Sequence, residues 1–150
     1  MQQQNAASGH DPMIECKGVW KVFGRKADEA IEGIRDGRMT KAEALSRFGC
    51  SVGVADATLS VARGEIFCIM GLSGSGKSTL LRHINRLIEP TRGEISIAGQ
   101  RIDQMSAAEL RYLRNHMIGM VFQHVALLPH RTVVESTAFG LEARGIARSE

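Results

Sequence analysis

The chain is poor in proline and aromatic residues and has no long apolar run. Its 150 residues include 16 glycines but only three prolines, one tryptophan and one tyrosine, which argues against a proline-rich linker or a collagen-like chain. No apolar stretch approaches the roughly 20 residues that a transmembrane helix needs, so we expect no membrane span. The remaining composition, 43% hydrophobic and 23% charged, predicts a globular chain with one modest core.

Cysteine and net charge are also modest. Cys16, Cys50 and Cys68 form an odd set without CxxC spacing, and the first five residues lack the basic and apolar regions of a secretory signal. These features predict a reducing, cytoplasmic compartment. Nineteen lysines and arginines against sixteen acidic residues give a formal charge of +3, spread along the chain. This pattern indicates no nucleic-acid partner.

The first residues predict a tail followed by strands. Residues 1–12 are small and polar without periodicity, so we expect a disordered tail. Residues 13–23 mix β-branched, aromatic and polar side chains and end at Gly24, which predicts a strand and a turn. Strand character returns at residues 52–61. These two segments are candidates for one sheet.

Between those strands, residues 25–50 have a helical pattern. Asp28 is predicted to cap a first helix, and Thr40 with Glu43 forms a capping box that begins a second. Two glycines are expected to end these helices: Gly37 and Gly49. Because the helices carry few apolar residues, we expect an insertion on the surface of a domain and outside its core.

A glycine-rich loop follows an apolar segment. Residues 65–70, EIFCIM, are typical of a central strand covered on both faces, in which Cys68 would be buried. The loop GLSGSGKST comes next, and apolar residues then recur at helical spacing as far as Pro90. The predicted unit is a strand, a loop and a helix.

The loop carries a phosphate-binding pattern. Gly71, Gly76, Lys77 and Ser78 satisfy G-x-x-x-x-G-K-[ST]. Glycines allow successive backbone N–H groups to point inward, and the following helix adds the partial positive charge of its N-terminus. Lys77 is predicted to bridge the β- and γ-phosphates, and the Ser78 hydroxyl to coordinate Mg²⁺. The pattern predicts nucleoside triphosphate binding without indicating what the nucleotide drives.

The glycine-rich loop, called the P-loop below, is followed by its helix. Beyond that helix the pattern alternates between short strands and helices. In order, we predict a strand over 94–98, a helix begun by the capping box of Ser106 and Glu109, a strand over 118–122 and a helix over 132–143. A polar segment with Pro129 precedes the last helix. There is no internal repeat.

Several separated segments resemble the ATP-binding subunits of ABC transporters. Besides the P-loop, MVFQHVALLPHRTV places Gln123 46 residues after Lys77, as in the family's Q-loop. Upstream, WKVFG resembles the A-loop that stacks an aromatic ring on adenine; Phe23 holds that position, and Trp20 is a rival. The insertion and the phrases NRLIEPTRGEI and ALLPHRTVVESTAFGLE most resemble importers of glycine betaine, proline betaine and related quaternary amines.

The resemblance implies an α/β fold. It would be the P-loop NTPase core of an ABC nucleotide-binding domain, incomplete here, with an N-terminal antiparallel β part and a small helical insertion. Residues 13–150 would form the N-terminal part of that domain, in which residues 124–150 hold the Q-loop and the start of the helical subdomain. A transport-coupled ATPase would then be the function of the full-length family member.

The resemblance also implies site residues and partners. Adenine would stack on Phe23, Mg²⁺ would lie near Ser78 and Gln123, and Lys77 with Gln123 would be catalytic. The residues implied to bind ATP phosphates are Gly71, Ser73, Gly74, Ser75, Gly76, Lys77, Ser78 and Thr79. Implied partners are a transmembrane permease, a second ATP-binding subunit in a homodimer and, indirectly, a substrate-binding protein, at the inner face of the cell membrane.

Other family motifs are absent from these 150 residues: the LSGG-type signature, the Walker B carboxylates, the D-loop and the switch histidine. Without those carboxylates the attacking water has no general base, so we expect the chain alone to bind ATP weakly and not to hydrolyse it. We therefore expect a truncated product or a partial sequence. Two alternatives stay open: a P-loop kinase for a small acceptor, and a nucleotide-binding remnant without turnover.

Overall fold

The computed structural model describes residues 12–122 and 128–146. The chain divides after Gln104 into two compact units. The strands are β1 (Ile14–Phe23), β2 (Ser51–Val61), β3 (Arg92–Ile97) and β4 (Gln100–Arg101), and the helices are α1 (Ala27–Arg35), α2 (Lys41–Phe48), α3 (Lys77–Ile84), α4 (Ala107–His116) and α5 (Val133–Ala143). No helix within those ranges is long and apolar enough to cross a bilayer.

One antiparallel sheet organises the first unit. Its strand order is β2-β1-β3-β4, so the long strand β1 has a partner on each edge. Ile14 lies opposite Val61 of β2 and opposite Ile97 of β3, and the β1–β2 pairing continues to Phe23 and Ser51. Between the described strands every pairing is antiparallel. The predicted antiparallel part of the fold is thereby confirmed.

The two insertion helices belong to the core of this unit. One buried cluster joins residues of β1, α1, α2 and the start of β2: Trp20, Val22, Ala30, Ile31, Ala44 and Cys50. The expectation that the helices lie on the surface, outside the core, is therefore wrong. Their apolar residues are few, but Ala30 and Ile31 of α1 and Ala44 of α2 all pack against the large ring of Trp20 and its neighbours.

An arginine of the sheet also binds the first insertion helix. Arg92 on β3 donates hydrogen bonds to Asp28 at 2.8 Å and to Glu32 at 3.1 Å. The hydrogen bonds to Glu32 and Asp28 raise the pKa of the Arg92 guanidinium above its ordinary value. Both carboxylates are exposed and Arg92 is partly exposed, so these pairs contribute little to stability.

Helix ends follow the predicted capping residues with one exception. Thr40 caps α2: its hydroxyl accepts from the Glu43 N–H, and the Glu43 carboxylate accepts from the Thr40 N–H at 2.8 Å. The same arrangement begins α4 at Ser106. Asp28 does not cap α1, whose N-cap is Lys26. It lies in the first turn, where a carboxylate favours the helix dipole.

Two predicted strands do not form. Residues 65–70 and 118–122 have no regular secondary structure, and the side chains of Ile66 and Met70 are exposed. Cys68 is exposed as well, contrary to the expectation of a buried position. A central strand needs hydrogen-bonded neighbours, and no strand in the described part of the chain pairs with either segment.

The packing of the insertion can be tested with a matched pair of substitutions. Ile31 is 1% exposed, whereas Ile66 is 92% exposed. We expect Ile31→Ala to lower the free energy of unfolding by about 2–5 kcal/mol, because it leaves a cavity beside Trp20. Ile66→Ala should change it by less than about 0.5 kcal/mol. Urea denaturation measures both values, and equal effects would contradict the core role of α1.

Candidate functional site

The glycine-rich loop leads directly into a helix. Residues 71–76 are irregular, and α3 begins at Lys77 with Gly76 as its N-cap. The first bond within the helix runs from the Leu80 N–H to the Gly76 carbonyl at 2.8 Å. The N–H groups at the start of a helix have no partner within it, and no side chain caps those of α3. Such donors are suited to bind an anion.

Glycine is required where the loop meets the sheet. Gly76 has a φ of +92°, in the left-handed region, and a Cβ added there would collide with the carbonyl oxygen of Gly53 on β2. Gly74 also has a positive φ, +77°, but a Cβ there would meet nothing within 4 Å. The end of the loop is thus packed against the β2 backbone, while its middle faces open space.

The P-loop lysine is held over the loop. The Lys77 ammonium donates to the carbonyl oxygens of Gly71 at 2.8 Å and Leu72 at 2.7 Å, and to the Ser75 hydroxyl at 3.4 Å. A lysine ammonium has three donors, and here all three bind loop oxygens. The Lys77 ammonium is therefore held by oxygen atoms of the loop itself.

A cavity of about 280 Å³ lies beside the loop, near the lower end of the range for small-molecule sites. Its lining comes from α2, β2, the loop and its flanking segments: Lys41, Gly53, Val54, Ala55, Ala57, Ile69, Met70, Gly71, Ser75, Gly76, Lys77 and Leu80. Four predicted site residues share this lining: Gly71, Ser75, Gly76 and Lys77. Sequence reasoning misses Lys41, because no local pattern shows that α2 begins near the P-loop.

The predicted adenine-binding ring lies close to the start of α3. A Cβ built on Gly53 would be 3.0 Å from Cε2 of Phe23 and 3.5 Å from Cγ2 of Thr79, so both side chains flank the same point of β2. Phe23 is 46% exposed, and the Lys21 ammonium lies over its ring, 5.1 Å from the centroid. The rival Trp20 is only 6% exposed and packs in the core, so it presents no ring face to a ligand.

The predicted metal ligands are described only in part. Ser78, a predicted metal ligand, is exposed in the first turn of α3. Ser73, which is predicted to bind phosphate, is exposed in the loop. Gln123, predicted as a metal ligand and catalytic residue, lies outside the described residues. Within the described ranges no group of three histidine, cysteine or acidic residues could hold a metal ion. A serine hydroxyl still fits Mg²⁺, which takes oxygen ligands and completes its shell with phosphate and water.

Behind the loop, α3 is anchored by a buried histidine. His83 is fully buried, and its Nδ1 donates to the carbonyl oxygen of Ile88 at 2.6 Å. Burial lowers the pKa of His83 below its ordinary value and so favours the neutral ring. Leu80 is buried on the same helix. These side chains fix α3 and, with it, the position of Lys77.

One protein family and several curated proteins match this chain. Residues 54–149 match the family described as ABC transporter. The chain belongs to the ABC transporter family. It is 52% identical over 137 residues to the glycine betaine/proline betaine transport system ATP-binding protein ProV of Salmonella typhimurium, covering 91% of this chain and 34% of the relative. It is 50% identical to the glycine betaine transport ATP-binding protein OpuAA of Bacillus subtilis, covering 91% of this chain and 32% of that protein.

The fold of this chain is also similar to that of a solved ATP-binding cassette. The ABC transporter chain is similar to the ATP-binding cassette MJ0796 in its dimeric post-hydrolysis state bound to ADP and Pi, with a TM-score of 0.67 and 30% identity. The match covers 87% of this chain and 47% of the cassette. The chain spans about a third of the length of the curated relatives it matches. The predicted ABC fold class is confirmed.

The packing of the loop against β2 gives a prediction for this ABC transporter chain. We expect Gly74→Ala to cost about 1–2 kcal/mol of unfolding free energy, from the left-handed backbone alone. Gly76→Ala should cost about 1–3 kcal/mol more, because its methyl group meets the Gly53 carbonyl. Urea denaturation of both variants compares the two costs. A Gly76→Ala variant as stable as Gly74→Ala would show that the loop does not rest on β2.

Proposed function

We propose that this chain is part of an ATP-binding subunit that energises import of glycine betaine, proline betaine or a related quaternary amine. The observation that carries the proposal is the loop of residues 71–76 leading into α3. It combines a central ammonium, uncapped helix N–H groups and a glycine packed on β2. This set of groups suits a polyphosphate, whose negative charge is bound by backbone N–H groups and lysine together.

We propose a role for each of the site residues. Lys77 binds the β- and γ-phosphates, the N–H groups at the start of α3 surround them, and the Phe23 ring stacks on adenine. The Ser78 hydroxyl and Gln123 would hold Mg²⁺. When bound, that ion balances negative charge on the phosphates. Phe23 and Thr79 both flank Gly53, which supports one nucleotide spanning the ring and the loop.

The transport role is supported by the relatives. Two proteins about half identical over 91% of this chain are ATP-binding proteins of glycine betaine transport systems. We infer the same substrate class here, with a permease as membrane partner, a second ATP-binding subunit in a homodimer and an indirect link to a substrate-binding protein. A subunit that acts with a permease would lie at the inner face of the cell membrane.

The family relation bears on the alternatives. A P-loop kinase would carry its own acceptor site, whereas this chain matches the ABC transporter family over residues 54–149. The transport subunit is therefore favoured. A remnant that binds nucleotide without turnover is compatible with the same loop, and we propose that the 150 residues alone behave in that way.

Nucleotide binding is the first test. We expect Lys77→Ala to weaken binding of a fluorescent ATP analogue by about tenfold or more, since charged hydrogen bonds contribute about 1.5–3 kcal/mol. Lys17→Ala is the control, because Lys17 lies on β1 and pairs with Glu15 at 2.8 Å. Equal affinities for the two variants would contradict the proposed role of the loop. In the same samples we expect no ATP hydrolysis, and turnover abolished by Lys77→Ala would contradict that expectation.

The transport partner is tested separately. We expect the tagged chain, expressed in its source cells, to co-purify from detergent-solubilised membranes with a permease of the quaternary amine importers, identified by mass spectrometry. Untagged cells provide the background. Recovery without any membrane protein, together with phosphate transfer to a small acceptor, would support the kinase in place of the transporter.

A further inference from the structure

The cavity beside the P-loop is shared by the helical insertion. Lys41, the first residue of α2, lines it together with Gly71, Ser75 and Lys77. Lys41 is 36 positions upstream of Lys77 in the sequence. The fold alone brings the two lysines to one cavity, and none of the roles assigned above uses Lys41.

The charge of this lining favours an anionic ligand. Its described residues include two lysines and no carboxylate. The Lys77 ammonium binds three loop oxygens. By contrast, nothing in residues 12–122 and 128–146 accepts a hydrogen bond or ion pair from Lys41. The nearest acidic residue on its own helix, Glu43, is engaged by Thr40 and Arg47.

The backbone at Lys41 is held by the packing of α2, while its side chain is exposed. The Thr40–Glu43 capping box determines where α2 begins, and Ala44, one turn later, is buried in the cluster with Trp20. The Cys50 N–H donates to the Ala44 carbonyl at 3.1 Å, and β2 follows at once. The same short connection thus holds Lys41 and the strand against which the P-loop packs.

We propose that Lys41 is a second phosphate contact of the nucleotide site, contributed by the insertion. The inference rests on the proposed binding of ATP. Lys77 binds the polyphosphate from within the loop, and Lys41 adds a positive charge from across the cavity. An ammonium pairs well with phosphate as a point charge. The insertion is in this way part of the proposed binding site.

The test compares two substitutions on one helix. Lys41→Gln and Arg47→Gln each remove one positive charge from α2. We expect Lys41→Gln to weaken binding of a fluorescent ATP analogue about two- to fivefold at low salt, the range of an exposed charge pair. Arg47→Gln and the charge-preserving Lys41→Arg should bind like the unmodified chain. The loss should shrink at about 0.5 M salt, where exposed charges are screened, and a fluorescent adenosine without phosphates should show no loss.

Each remaining outcome decides a different claim. If Lys41→Gln binds like the unmodified chain while Lys77→Ala binds weakly, the inference about Lys41 is wrong and the proposed function stands. If Lys41→Gln weakens ATP and adenosine equally, or unfolds at lower urea than Arg47→Gln, Lys41 acts on the fold and the inference is again wrong. If the unmodified chain binds no ATP analogue, the proposed function itself fails.

Discussion

The close approach of Gly76 to the carbonyl of Gly53 is the contact on which the site depends. It brings the end of the P-loop onto β2, and β2 is fixed in turn by its long antiparallel pairing with β1. Any side chain at position 76 would separate the loop from the strand. This backbone contact brings the start of α3, and with it Lys77, to the part of β2 that the Phe23 ring also flanks.

The insertion has a larger part in this arrangement than its composition indicates. A few small and branched residues of α1 and α2 complete the core around Trp20, and Arg92 ties α1 to β3 from outside. Because α2 leads directly into β2, a shift of the insertion would shift the strand under the loop. The insertion therefore supports both the core and the site. Its helices contribute buried residues, so the expectation that they lie outside the core is wrong.

The features that can be predicted from this sequence are those formed by residues close together in the chain. Capping boxes such as Thr40–Glu43 involve residues three apart, and the P-loop is one contiguous motif, so both were predictable. The strand predicted over 65–70 needed partners that no local pattern supplies, and it does not form. Asp28 is a residue type that caps helices well, but it lies two residues after the N-cap, Lys26. Lys41 was missed because only the fold brings α2 to the loop.

The hydrogen bonds of Lys77 have a consequence for affinity. The Lys77 ammonium already donates hydrogen bonds to the carbonyl oxygens of Gly71 and Leu72. A phosphate that binds Lys77 must therefore replace these oxygens as acceptors. The two carbonyls must then turn to water or to another donor, and that cost is subtracted from the gain of the new charged contact. Phosphate recognition at this loop is a competition between internal and external acceptors. The measured affinity reports only the difference between them.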